Sequence, residues 1–269
     1  MDWSRIKTIF IIVFLLLNVY LISELFKLNH STRYNFVSEV TIENKLSGEE
    51  IKYGELPSDV KKENYISATP KKFTKEELQQ AEKSALAGQI LTVSNGTTIE
   101  AILEKPIKIS DNFNPEELAV FLKNNIVNGE EYRFYEIDRE KNEIIFYQQY
   151  ENKLLYKNLN GELIFYFNDN NEIIAYKQTI LEDFKELSEE ENILQPIKAI
   201  EILYDQGKLP FGCEITKVEL GYYTLVHLTS SQVLTPVWRV VVNGEEDLFV
   251  NAVEGQVIQL SKEETMILE

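Results

Sequence analysis

The chain has 269 residues, a formal net charge of −17 and a pI near 4.7. That balance argues against binding to nucleic acid, and against electrostatic docking on an anionic membrane or cell-wall polymer. The single cysteine, Cys213, rules out an intrachain disulfide, so the fold depends on its hydrophobic core.

Residues Ile6 to Phe26 read IKTIFIIVFLLLNVYLISELF, with no charge between Lys7 and Glu24. As a helix this run spans roughly 31 Å, close to the thickness of a bilayer's hydrocarbon core. The following SELFKLNHSTRY offers no small-x-small cleavage site, so an uncleaved anchor is expected rather than a removed signal. Arg5 and Lys7 precede the span and hold that end in the cytoplasm, which places the rest of the chain outside. Ile11, Asn18 and Leu25 recur every seven residues, as do Thr8, Leu15 and Ile22. Together they form a seam centred on Asn18, suited to packing on another membrane helix. The alternative is that the Asn18 amide bonds within its own helix or lies near the outer interface.

Beyond the anchor (residues 1–28), residues 29–110 read as a membrane-proximal α+β segment. SEVTIENKLSGEE suggests a short amphipathic helix, and IKYGELP and YISATP suggest short strands. Thr74 and Glu77 form a capping box that opens a helix, and Gly88 supplies its stop. QILTVS and TTIEAIL flank Asn95-Gly96, a strong hairpin signal.

From residue 111 the chain repeats one plan, a helix followed by an antiparallel meander, over 111–187 and again over 188–269. In the first unit Asn114 is the N-cap, Pro115 the first helical residue and Glu117 the return cap. Leu118, Phe121, Leu122 and Ile126 share a face. YRFYEI, EIIFYQQY, KLLYKN, GELIFYFN and EIIAYKQTI then alternate through polar turns. In the second unit SEEENILQPIKAIEILYDQG reads as a helix capped by Ser188 and Glu191, with Pro196 either in its first turns or kinking it. CEITKVELGYY, TLVHLT, TPVWRVVVNG, DLFVNAV and QVIQL follow as strands. The fold class is therefore α+β: a single N-terminal transmembrane helix and an ectodomain of two helix-plus-antiparallel-sheet units.

Catalytic constellations are not evident. His30 and His227 lack metal-ligand spacing. Cys213 has no second cysteine or nearby histidine and reads as a buried thiol. Glu189, Glu190 and Glu191 sit at a helix start, where acids are favoured. Glu245, Glu246 and Asp247 share a loop without EF-hand spacing. The tyrosines concentrated between Tyr132 and Tyr223 read as cross-strand pairs rather than as a ligand groove. No catalytic, cofactor or metal-binding residue is assigned.

The opening MDWSRIKTIFIIVFLLLNVYLI, the segment SGEEIKYGELP and the C-terminal GYYTLVHLTSSQVLTPVWRVVVNGEEDLFVNAVEG together resemble the YycI family of low-GC Gram-positive bacteria. The closing PVWRVVV and LFVNAVEGQV also resemble the last hairpin of PepSY-type modules. The family resemblance implies a non-enzymatic, membrane-anchored regulator of the WalK (YycG) sensor histidine kinase, which governs cell-wall metabolism. It implies a sister partner, YycH, whose two C-terminal domains the ectodomain would resemble, and a kinase contact made by the transmembrane helix, which suits the seam of Thr8, Ile11, Leu15, Asn18, Ile22 and Leu25. The second reading is an extracytoplasmic PepSY-like binding or protease-inhibitory module that the helix merely tethers.

Overall fold

The structure, a computed structural model, describes residues 3–31, 41–58, 61–74, 76–77, 86, 88–226 and 231–258. The chain separates into two compact units, Met1–Glu49 and Glu50–Glu269. The first holds α1 (Trp3–Ser31) and α2 (Ile42–Gly48). The amphipathic spacing expected around Leu46 is realised in α2, which buries that side chain completely.

The second unit is mostly sheet with few helices. Its strands are β1 (Lys52–Tyr53), β2 (Lys62–Glu63), β3 (Ile66–Pro70), β4 (Gln89–Ser94), β5 (Thr98–Lys108), β6 (Tyr132–Asp138), β7 (Glu143–Tyr150), β8 (Lys153–Tyr156), β9 (Glu162–Phe167), β10 (Glu172–Thr179), β11 (Leu181–Glu186), β12 (Glu191–Asn192), β13 (Glu214–Val226), β14 (Gln232–Val242), β15 (Glu246–Asn251) and β16 (Val257–Ile258). Neighbours run β11-β3-β14-β13-β8-β7-β9-β10-β5-β4, with β6 on β7, β1 on β13, and β15 then β16 on β14. Strands from residues 50–110 thus enter both ends of the sheet: β3 pairs with β14 and β11, while β5 pairs with β10.

Strand β8 is the join. It leaves the meander after a turn in which Glu151 and Asn152 have positive φ, pairing antiparallel with β7 and parallel with β13. Only glycine fits opposite it at position 221, because a Cβ there would lie 2.3 Å from the Tyr156 ring and 2.6 Å from the Leu154 carbonyl oxygen.

The first core lies on one face of β5, β10, β9 and β7. Alternate residues Ile99, Ala101 and Leu103 of β5 point into it with Ile144, Phe146, Leu163 and Phe165. A 3-10 turn (Pro115–Leu118) leads into α3 (Ala119–Asn125), which covers this core with Leu118 and Leu122. The capping box at Asn114 and Glu117 is present: Asn114 Oδ1 accepts from the Glu116 N–H at 3.0 Å, and Glu117 returns to the Asn114 N–H at 2.9 Å. Phe121, Phe134 and Tyr176 meet Phe146 or Phe165 edge-on in this core.

The other end of the sheet packs against α4 (Pro196–Asp205), which buries Ala199, Ile200 and Leu203. Trp238 on β14 is fully buried and donates its indole N–H to the Leu194 carbonyl at 2.8 Å.

Three expectations need correction. The second helix does not begin near Ser188. Glu191 and Asn192 instead form β12, paired with β2, and the helix starts at Pro196 with Gln195 as its N-cap. Proline lacks the N–H that helix interiors need but suits a first helical position, so it sets the boundary. CEITKVELGYY and the run after it are not separate strands, because β13 continues through Val226. Finally, β11 went unseen in LEDFKE, whose acidic composition hides an edge strand with a bulge at Asp183, where φ is +55°. The helix opened by Thr74 and Glu77 has its capping bonds, but its body lies outside the described residues.

Candidate functional site

The residues chosen from sequence all fall within α1. Ile11, Leu15, Asn18 and Ile22 are exposed; the side chains of Thr8 and Leu25 lie outside the described residues. Phe10, Ile11, Phe14, Leu15, Asn18, Val19 and Ile22 line one furrow along this helix. The seven-residue spacing therefore does place Ile11, Leu15, Asn18 and Ile22 on one surface, and it adds two phenylalanines that the heptad reading had left out. Asn18 is the one polar side chain of that furrow. At the start of the helix Lys7 Nζ lies 4.4 Å from the centre of the Trp3 ring, a cation–π contact.

A helix of this length rises about 43 Å. Among the described residues, however, no helix is long and apolar enough to cross a membrane. The continuously described side chains of α1 cover residues 10–22, about 20 Å of rise.

In the second unit the charged residues are used to hold strands together. Arg239 on β14 donates to Asp247 on β15 at 2.8 Å and reaches Glu219 on β13 at 3.3 Å. Arg133 on β6 approaches the same Glu219 at 3.8 Å, and the Tyr135 hydroxyl donates to Asp247. The Arg239 guanidinium stacks 4.6 Å from the centre of the Tyr135 ring. Burial is the largest single influence and works against the Arg239 charge, but the bond to Asp247, the attraction of that carboxylate and the neighbouring Tyr135 and Tyr156 together outweigh it and raise its pKa. Burial, and then the adjacent carboxylate, push the Tyr135 phenol far above its usual range, so it stays a donor.

This network was missed in the sequence. Its one signal was Arg239 itself, a lone charge inside the apolar run PVWRVVV, which demands a partner once buried. Asp247, weighed as part of a cation loop, is committed to Arg239 and Tyr135. No group of acidic, His or Cys side chains suited to a metal occurs among the described residues. His227 lies outside them, and Cys213 is a buried free thiol whose pKa burial raises.

A second fastening holds β2. Its Glu63 accepts from Lys153 Nζ at 2.7 Å and from the Tyr222 hydroxyl at 2.9 Å. Beside it a groove of about 470 Å³ is lined by Leu56, Pro57, Ser58, Lys61, Asn192, Ile193, Gln195, Pro196 and Ile197, with no carboxylate in its wall.

The second unit is a sheet whose buried charges fasten its strands, and in the first unit α1 has an exposed apolar face. The profile of the YycI family, described as YycI protein, matches residues 31–253, and the chain belongs to that family. It is a family of regulators acting in the YycG/WalK sensor-kinase system. The match begins at the last residue of α1, so the furrow lies outside it.

No curated relative matches the chain. Among solved structures, an uncharacterized protein from Eubacterium rectale is similar at a TM-score of 0.48 and 12% identity, covering 78% of this chain and 90% of that one. The C-terminal domain of Bacillus megaterium YpeB aligns at a TM-score of 0.39 and 11% identity, covering 70% of this chain and 97% of the domain. YycH from Bacillus subtilis aligns at 0.41 and 15% identity, covering 77% of this chain and 54% of YycH.

Proposed function

We propose that the chain modulates a WalK/YycG-type sensor histidine kinase from the bacterial cell membrane. In this reading α1 spans the bilayer with its N-terminus in the cytoplasm. The face of Thr8, Ile11, Leu15, Asn18, Ile22 and Leu25 packs on a transmembrane helix of the kinase assembly. The sheet unit makes the extracytoplasmic contacts, together with a YycH-like partner. Family membership supports the regulatory role. The observation that carries the intramembrane contact is the furrow of α1, where the Asn18 amide sits alone among apolar side chains. In hydrocarbon such an amide gains from a bond across a helix pair, worth about 0.6 to 2 kcal/mol.

A single-span regulator shifts a kinase only through different affinity for the kinase's two signalling states. A difference of about 1–3 kcal/mol alters the equilibrium by 5- to 150-fold, which one polar contact and a few apolar ones can supply. The experiment is to replace α1 by an unrelated span of equal length and measure kinase output in cells. Lost regulation is the expected result. Unchanged regulation would show that the helix is only a tether.

A further inference from the structure

The sheet face opposite the first core carries a dent of about 260 Å³. It forms where the β10 register shifts between Ile173 and Ala175. The small Ala175 side chain then stands between Tyr166 of β9 and Ile102 of β5, so the floor is low between two larger walls. Ile90 of β4 pairs with Ile102, and these two are 58% and 60% exposed. Two charged residues complete the wall: Lys177 and Glu100, register partners on β10 and β5.

The charges select the occupant. Lys177 Nζ is bound to the buried Glu162 carboxylate at 3.1 Å, whereas Glu100 is exposed in the wall. Burial, and then the charges of Glu143, Glu162 and Glu100, push the Tyr166 phenol above its usual range. The dent is therefore electronegative, although a lysine lines it. An apolar floor under a negative rim suits a cation carried on an apolar stem. Arginine fits better than lysine, because a guanidinium lies flat on a tyrosine ring and offers a carboxylate two N–H groups at once.

That arginine belongs to another protein. The arginines of the second unit are engaged in its own fold: Arg133 and Arg239 with Glu219, and Arg139 with the Asp111 carbonyl at 2.6 Å. A second copy, with its net charge of −17, also meets general repulsion on approach.

We propose that this dent receives an arginine from an extended segment of a partner protein, its stem over Ala175 and Ile102 and its guanidinium against Tyr166 and Glu100. The site adds a contact of the sheet unit to the proposed function and rests on that reading only for where the partner is met. Binding of a free peptide involves neither α1 nor a kinase, so the two fail separately.

The test is fluorescence anisotropy of a fluorescein-labelled peptide, ITRTI, titrated with the full-length protein in detergent micelles. Extended, this peptide presents its two isoleucines and its arginine on one side. ITKTI and ITQTI are the comparison peptides. The expected result is saturable binding of ITRTI, with ITKTI about threefold or more weaker and ITQTI weaker still. E100Q in the protein should remove the preference for ITRTI over ITQTI, and A175L, which fills the dent, should weaken ITRTI about tenfold. E100Q, at an exposed position, decides the matter if A175L disturbs the sheet. Absence of saturable binding overturns the inference, as does equal binding of ITRTI and ITKTI. A preference for ITRTI over ITQTI that survives E100Q also overturns it, because general attraction to an acidic chain then explains the binding.

Discussion

Replacing Arg239 by methionine tests whether the charge network is a structural fastening. Arg239 is 12% exposed and Asp247 10%, so neither charge is free to find water when its partner is removed. Methionine keeps the apolar stem over Tyr135 and Tyr156 but leaves Asp247 without its cation, while Glu219 keeps Lys217 at 2.9 Å and Arg133 at 3.8 Å. Breaking a buried pair this way costs about 3–5 kcal/mol. The reverse change, D247N, leaves Arg239 its contact with Glu219 and leaves Tyr135 an oxygen to donate to. Its cost is set by one charge-assisted bond, about 1.5–3 kcal/mol. The double variant R239M/D247N should be less destabilised than the sum of the two, by about 1–3 kcal/mol. Urea unfolding followed by Trp238 fluorescence measures all three. A cost below about 1 kcal/mol for R239M, or a larger loss for D247N than for R239M, would refute the reasoning.

Two further outcomes follow from the packing and the caps. G221A should destabilise by about 1–3 kcal/mol, because the new methyl group meets the Tyr156 ring and the Leu154 carbonyl; thermal unfolding that is unchanged would deny that close approach. Glu117 accepts from the Ser110 hydroxyl and from the backbone N–H groups of Asn114 and Ser110, which lowers its pKa. Its contribution is therefore full above the unfolded carboxylate pKa near 4.3 and is lost as pH falls through the lower folded value. E117Q should flatten that part of the acid limb of stability against pH, and an acid limb identical to the parent's would count against the cap.

Much of the sheet was legible because its strands carry their own punctuation. Asn95 and Gly96 both adopt positive φ, as a tight hairpin turn requires, and β4 and β5 end where the turn residues begin. The runs from Tyr132 to Thr179 are rich in aromatic and β-branched residues between polar turns and were readable one by one, although their burial does not alternate strictly. What sequence could not give is which strand lies beside which. Nothing in KLLYKN says that β8 quits its meander to run parallel to β13, since that pairing depends on Gly221 making room for Tyr156. Along α1, helical periodicity alone sets Ile11, Leu15, Asn18 and Ile22 on one side, with no tertiary information. The Arg239 network lay between these cases, with one partner foreshadowed by burial and the others fixed only by strand order.

The most direct test of the regulatory account is site-specific photo-crosslinking in native membranes from a probe at Phe14 or Val19, flanking Asn18. The account predicts that the probe captures a WalK/YycG-type kinase or a YycH-like protein, and that capture weakens when Asn18 is replaced by leucine. Capture of neither protein, with kinase regulation intact, would contradict it.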